Sequence, residues 1–170
     1  MMSHVRRSER ARYKETLAWL DLGEGPARFG PGGLDYLRLL FEGATRRAEQ
    51  VGYAVEYFWL AEPGMTGKRM SGILAARGIR GLLIPPLPRS LGHVSMRWAD
   101  FAAVALTYTL PRPRMHRVVP AQFANMQEIL RAISRKGYRR PGLLVAKKFD
   151  ERAGNRFRAA FLFHQNTLPA

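Results

Sequence analysis

The chain has 170 residues, of which 46% are hydrophobic and 11% aromatic, so it is long and apolar enough to form a full core and is neither disordered nor fibrous. No apolar run approaches the roughly eighteen residues of a membrane span, and the basic start lacks the apolar core of a signal peptide. We therefore predict a cytoplasmic protein without membrane segments. The absence of cysteine excludes disulfides and thiolate sites. The net charge of +15 favours anionic partners.

Residues 1–15 are predicted to form a basic arm or linker, because they carry many charges and little that could be buried. A tail that contacts phosphates is the alternative for this segment. Thr16–Leu22 is predicted as the first strand. The following Gly23–Gly33 is too rich in glycine and proline for regular structure.

The clearest period in the sequence predicts the first helix, over Leu34–Val51, with one apolar face directed at a sheet. Gly52 ends this helix, and Ala54–Leu60 is predicted as the second strand. A second helix is predicted over Gly67–Arg77. The apolar positions of the first helix recur at steps of three and four residues and are Leu34, Leu37, Leu40, Phe41, Ala44, Ala48 and Val51.

A helix, a glycine and a short apolar strand follow one another at three places. Around Gly78 a helix ends and Gly81–Ile84 runs into two prolines, and the same order occurs around Gly52 and Gly137. A short apolar run bounded by glycine and proline is typical of a strand buried on both faces. The repetition indicates βαβ units and predicts an α/β fold with a Rossmann-like, three-layer parallel sheet.

The remaining elements continue this alternation. Ala102–Tyr108 is predicted as the fourth strand, and Val118–Val119 as a short fifth strand. Asn125 is a candidate N-cap for the next helix, which Gly137 closes. Gly142–Ala146 is then predicted as a sixth strand, and a last helix is expected to open at the acidic pair Asp150 and Glu151.

Two glycine-rich loops resemble nucleotide-binding motifs, but neither has the required spacing. The loop that begins at Gly23 has its third glycine too late, at Gly30, for a dinucleotide fingerprint. Gly64–Lys68 has two residues between its glycines, too few for a phosphate-binding loop. A helix that follows a glycine loop can still bind an anion or a sugar hydroxyl at its amino terminus.

No catalytic or metal-binding constellation is evident in the sequence. The four histidines are scattered, no serine has the flanking glycines of a nucleophile elbow, and carboxylates are scarce in the predicted strand-end loops. We therefore expect a binding protein that is not an enzyme and that has neither a cofactor nor a metal ion.

In an open α/β sheet, ligands bind beyond the carboxyl ends of the strands. The candidate ligand-binding residues are therefore those that follow each predicted strand, with packing within the loops as the alternative role for each. They are Arg28, Phe29, Pro85, Pro86, Tyr108, Gln122 and Phe123.

The order of these elements resembles the effector-binding domain of LacI/GalR-type transcriptional repressors. The resemblance is carried by Ala48–Tyr53, by Arg77–Pro86, and by Lys136–Leu143, where that family's chain crosses into a second lobe. Arg152–Phe161 is similar to the family's arginine-bearing helix. Arg156 and Arg158 both lie near the place of its effector arginine, and Arg156 is the candidate ligand-binding residue. The resemblance covers residues 16 to 166.

This resemblance implies a periplasmic-binding-protein-like lobe, with residues 16–136 as the first lobe and 137–170 as the incomplete start of a second. It also implies a small effector such as a sugar in a cleft between lobes, a homodimer, and DNA contact through a helix-turn-helix headpiece outside this chain. One departure from the family is the absence of its acidic residue after the fifth strand, where this chain reads Pro120–Phe123.

Two other classes of protein stay open. A solute-binding protein of a transport system would share the fold but would require export. A nonspecific nucleic-acid-binding protein would explain the +15 charge directly, although most of the 28 basic residues are arginines spread along the chain, as a coding bias would also produce. No recognition-helix pair, zinc finger or aromatic RNA-binding signature is present.

Overall fold

The structure is a computed structural model, and it describes residues 15–23, 25–29, 35–88 and 94–167. It contains two compact units. The first comprises the described residues of Met1–Pro85 together with Ser95–Ala103, and the second comprises those of Pro86–Val94 and of Val104–Ala170. The predicted lobe boundaries stay predictions. Apart from Glu15, the predicted basic arm lies outside the described residues.

Strands and α-helices alternate as predicted up to residue 84. Beyond residue 100 the predicted alternation is wrong, because two strands follow one another and then three α-helices do. The strands among the described residues are β1 (Glu15–Asp21), β2 (Tyr53–Trp59), β3 (Gly81–Ile84), β4 (Ala102–Leu106) and β5 (His116–Val118). The α-helices in the same part of the chain are α1 (Asp35–Gln50), α2 (Gly67–Ala76), α3 (Gln122–Arg135), α4 (Lys147–Arg152) and α5 (Arg156–Thr167). No helix among the described residues is long and apolar enough to cross a membrane.

The strands form one sheet in the order β2-β1-β3-β4-β5. β1 pairs in parallel with β2 along its whole length and with β3 through the register Leu17 to Gly81, and β5 pairs in parallel with β4. Parallel pairing requires crossover connections. α1 lies in the crossover from β1 to β2 and α2 in that from β2 to β3, whereas residues 107–115 join β4 to β5 without a helix. The predicted α/β fold with a parallel sheet is therefore confirmed.

The core of the first unit is centred on β1, whose residues Ala18, Trp19 and Leu20 have no exposed surface. Leu37 of α1 is buried as its helical period predicts, and the ring of Phe41 meets the Trp19 ring edge-on at 5.2 Å. Aromatic rings favour such edge-to-face contacts because the positive edge of one ring meets the negative face of the other. The helix thus presents its apolar stripe to the sheet.

Several predicted element ends are wrong by a few residues, each for a local reason. Val51 lies in the turn after α1 and is 45% exposed, so it does not belong to the helix's apolar face. Pro26–Phe29, predicted as irregular, forms a single 3-10 turn, which requires only local hydrogen bonds. β4 ends at Leu106 because Thr107 adopts a positive φ of 111°, which breaks the extended backbone.

Asn125 is not an N-cap. α3 begins three residues earlier, at Gln122, and the backbone N–H of Asn125 already donates to the Ala121 carbonyl at 2.8 Å. Ala121 occupies the cap position and makes no side-chain hydrogen bond there. An amide in the first turn is therefore not sufficient to locate a helix start.

The predicted sixth strand is absent: Gly142–Ala146 has no regular structure. Leu144 is fully exposed, at 101%, and the side chains on either side of it are half-buried. The predicted final helix is likewise divided into α4 and α5, because Gly154 adopts a φ of +68° between them. An apolar run becomes a strand only where a neighbouring strand completes its hydrogen bonds.

Candidate ligand-binding site

Two of the predicted ligand-binding residues, Tyr108 and Arg156, lie against each other in the second unit. The guanidinium carbon of Arg156 is 4.2 Å from the centre of the Tyr108 ring, which is a cation–π contact. Tyr108 follows β4, and Arg156 is the first residue of α5. Both side chains are half-buried, so the pair is supported by the protein while part of it stays open to solvent.

A threonine pair shapes the turn that carries Tyr108. The hydroxyl oxygens of Thr107 and Thr109 are 3.1 Å apart, and the buried Thr109 hydroxyl accepts the backbone N–H of Leu87 at 2.9 Å. The Thr107 backbone N–H donates to the Val118 carbonyl at 3.1 Å. A β-branched residue at positive φ is strained, and these bonds hold the turn in place.

Arg156 is positioned by the connection between α4 and α5. The buried Asp150 carboxylate accepts the backbone N–H of Phe157 at 3.1 Å, which caps the amino terminus of α5. Gly154 turns the chain at a φ of +68°, and a Cβ at this position would lie 2.9 Å from the Arg156 guanidinium. The Arg156 Nη1 donates to the Gly154 carbonyl at 3.3 Å. Only glycine combines this turn with the stacked arginine.

The arrangement provides binding chemistry. The stacked guanidinium has several N–H groups that can donate to the oxygens of a polar ligand, and the Tyr108 hydroxyl can donate or accept. An arginine already held against an aromatic ring loses little further side-chain entropy when it binds a ligand. Among the described residues, no three His, Asp or Glu side chains are grouped so as to hold a metal ion.

The other predicted residues occupy separate places. Arg28 and Phe29 form the end of the 3-10 turn in the first unit, and their side chains lie outside the described residues. Pro85 and Pro86 follow β3 and are buried. Phe123, in the first turn of α3, contacts the Phe163 ring at 5.9 Å between ring centres.

Gln122, the first residue of α3, differs from the other predicted residues in one respect. Its Oε1 atom is buried, and no described residue donates a hydrogen bond to it. A buried carbonyl oxygen without a donor is destabilising, by about 1–3 kcal/mol, and is often found where a ligand or water completes the site. The ligand-binding role of Gln122 stays a prediction, and its side chain has an unused acceptor that a ligand or water would satisfy.

Sequence reasoning did not identify the residues that support the Tyr108–Arg156 pair. Thr107, Thr109 and Asp150 act through a turn, a buried hydroxyl and a helix cap that depend on segments distant in sequence. The one available signal was local: Asp150 stands seven residues before Phe157, with a glycine and an asparagine between them, which is typical of a helix break followed by a new start.

The first unit has a polar strand end of its own. Asp21, the last residue of β1, has no exposed surface and accepts the Gly23 backbone N–H at 2.8 Å and the Tyr57 hydroxyl at 2.9 Å. Trp59 Nε1 donates to the Gly23 carbonyl at 3.0 Å. Carboxylates are therefore not missing from the strand ends, but these bonds give Asp21 a role in shaping the loop after β1.

No protein-family model matches the sequence, and no curated protein matches it. Its structure is similar to the crystal structure of a LacI-family transcriptional regulator, CCPA, from Weissella paramesenteroides with bound glucose. The TM-score is 0.55 at 13% sequence identity, and the match covers 88% of this chain and 54% of that chain. The chain thus spans about half the length of the matched protein. At this identity the likeness shows the fold alone: this chain shares the α/β architecture, with a parallel sheet and helices, of the matched structure.

Proposed function

We propose that this chain is the ligand-sensing region of a LacI-type transcriptional regulator that binds a small effector, such as a sugar. The observation that carries the proposal is the structural likeness to a LacI-family regulator over 88% of the chain. That protein was crystallised with glucose, which supports a sugar-like effector here. The predicted order of elements that resembles the same family is independent of the structural match.

The Tyr108–Arg156 pair is the part of the proposed effector site that is best supported by geometry. Sugars present hydroxyl groups that accept from guanidinium N–H groups, and an arginine held on an aromatic ring is pre-organised for that contact. The proposed role of the pair is binding, because it combines the donors of a guanidinium group with a tyrosine ring and hydroxyl.

In the proposed mechanism, the effector binds one conformational state of the regulator more tightly than the other and thereby changes its affinity for DNA. The size of the change equals the difference in effector affinity between the two states. The proposal assigns operator contact to a helix-turn-helix headpiece. The sequence of this chain contains no pair of helices with a recognition-helix pattern. The same proposal places the protein in the cytoplasm as a homodimer.

A ligand screen by thermal unfolding tests the proposal. The chain is heated alone and with each of a panel of monosaccharides, glucose included. At a concentration about 100 times the Kd, a sugar that binds only the folded state adds about 2.7 kcal/mol, which raises the Tm by roughly 5–10 °C for a chain of this size. The absence of a shift with every sugar would contradict a sugar effector.

Two arginine variants then locate the site. Arg156→Gln removes the stacked guanidinium, and we expect it to weaken sugar binding by about tenfold or more. Arg158→Gln is the matched control, because it removes the same charge from an exposed side chain of the same helix. Loss of binding in Arg158→Gln with retention in Arg156→Gln would show that the wrong arginine was assigned.

Nonspecific nucleic-acid binding is the second candidate function, and the net charge of +15 favours it. A protein that acts in this way loses affinity steeply as salt rises and does not distinguish sequences. Titration of a labelled random DNA duplex at two salt concentrations measures both properties. Strong, salt-dependent binding without any sugar response would favour this function over effector sensing.

A further inference from the structure

A groove between α3 and α5 in the second unit combines positive charge with a buried histidine whose Nε2 has no hydrogen-bond partner among the described residues. Its volume is about 520 Å³, which lies within the range of small-molecule sites. The groove is separate from the Tyr108–Arg156 pair in its lining residues. Those that matter here are Arg131, Ser134 and Arg135 from α3 and Phe163, His164 and Thr167 from α5.

The two helices are in direct contact at one end of the groove. Gln127 Nε2 donates to the Ala160 carbonyl at 2.6 Å in a buried hydrogen bond, and Leu130 is buried beside it. The rings of Phe123 and Phe163 lie 5.9 Å apart. Gln127, Arg131 and Arg135 are spaced by four residues, so they share one face of α3. The two arginines lie further along that face than Gln127, beyond its contact with α5.

The charge in the groove is only partly compensated. Arg131 pairs with Glu128 at 2.6 Å, but these side chains are 59% and 65% exposed, so the pair is weak and leaves other N–H groups of the guanidinium available. Arg135 has no ion pair with any described residue. No carboxylate is among the described residues that line the groove. The groove therefore attracts anions.

His164 provides the second observation. The residue is 7% exposed, and its Nε2 atom has no hydrogen-bond partner in the described part of the chain. The hydroxyls of Ser134 and Thr167 already donate, to the Leu130 and His164 carbonyls respectively. The donors left for a ligand are thus the two guanidinium groups and the imidazole. A buried ring nitrogen without a partner is unusual and requires an explanation.

We propose that this groove binds the phosphate group of a small phosphorylated molecule. The guanidinium groups of Arg131 and Arg135 donate to the phosphate oxygens, and His164, which also lines the groove, adds a further donor at Nε2. A phosphate with two negative charges suits two guanidinium groups better than a carboxylate does. The volume exceeds that of a phosphate ion, and Phe163 offers an aromatic wall for the remainder of the molecule.

The test uses the intact chain with phenyl phosphate as the probe, at an ionic strength held constant with sodium chloride, and measures the Kd by titration calorimetry. Arg135→Gln is expected to weaken binding by about tenfold, because it removes a charged donor. Arg140→Gln is the matched control: it removes the same charge from an exposed arginine that does not line the groove, and we expect less than a twofold change. Equal losses in both variants would overturn the proposal in favour of diffuse attraction to the +15 charge.

A second measurement distinguishes the phosphate of a small molecule from the phosphates of a nucleic-acid backbone. An oligothymidylate of equal phosphate concentration presents only diesters, as a nucleic-acid backbone does. Binding of phenyl phosphate that depends on Arg135 and is not displaced by the oligonucleotide supports a small-molecule site. Displacement by the oligonucleotide at lower concentration overturns that assignment. Sugar binding at the proposed effector site is expected to be unchanged in Arg135→Gln, so the failure of either proposal is distinguishable from failure of the other.

Discussion

Two nearly identical four-residue sequences adopt different backbone structures in this protein. Gly81–Ile84 in the first unit forms β3, with Leu82 and Ile84 fully or almost fully buried. Gly142–Val145 in the second unit differs only by valine in place of isoleucine, yet it forms no strand, and Leu144 is 101% exposed. Both follow a helix that ends at a glycine in the left-handed region. The four-residue run by itself therefore does not decide whether a strand forms.

What separates the two segments is the availability of a partner strand. β3 pairs with β1 through Leu17 to Trp19, so its backbone groups are bonded and its side chains reach a core. Residues 142–146 pair with no strand among the described residues. Since an isolated strand leaves its backbone bonds to water and buries little apolar surface, β propensity alone does not form one.

The largest expected effect comes from truncating a buried leucine of the first segment, compared with an exposed leucine of the second. Leu82→Ala removes a side chain that is 1% exposed and is expected to lower the free energy of unfolding by about 2–5 kcal/mol. Leu144→Ala is the control from the second segment, and a change within about 0.5 kcal/mol is expected because the side chain is already in water. Urea unfolding measures both. A large loss in Leu144→Ala would mean that residues 142–146 are paired in solution.

A smaller effect tests whether the helix ends before the two segments are equivalent. Gly78 and Gly137 have φ values of +70° and +88°, and neither would meet another atom within 4 Å if it carried a Cβ. Alanine at each position is therefore expected to cost only the strain of positive φ, about 1 kcal/mol in both cases. Urea unfolding of the two variants should give matching losses. Unequal losses would place the difference between the two segments in the turn instead of the pairing.

The smallest effect concerns the first glycine of each segment. A Cβ on Gly81 would lie 2.5 Å from a methyl group of Leu17, so Gly81→Ala should cost about 1 kcal/mol as that side chain moves aside. Gly142 has no atom within 4 Å of the same position, and Gly142→Ala should be neutral or stabilise by up to about 0.5 kcal/mol. Thermal unfolding of the pair measures the sign. A cost at Gly142 would indicate a close neighbour there.

Much of the site was accessible from sequence only as separate pieces. Tyr108 and Arg156 could be nominated, the first because it follows a strand and the second because its helix resembles that of a known family. Their contact depends on Gly154 and on the cap that the buried Asp150 provides for α5. These features place Arg156 next to Tyr108, which follows β4 and is distant along the chain. The groove between α3 and α5 was not predicted, since the scattered histidines gave no indication that His164 would be buried beside two arginines.

The sequence by itself determined where the chain turns and which helices bury an apolar face. Glycines at 52, 78 and 137 end helices because only they adopt positive φ without strain, and the period of α1 places Leu37 in the core. The tertiary structure alone decided which apolar run became a strand. A helix satisfies its backbone hydrogen bonds within itself, whereas Gly81–Ile84 required β1 and Gly142–Val145 has no such neighbour among the described residues.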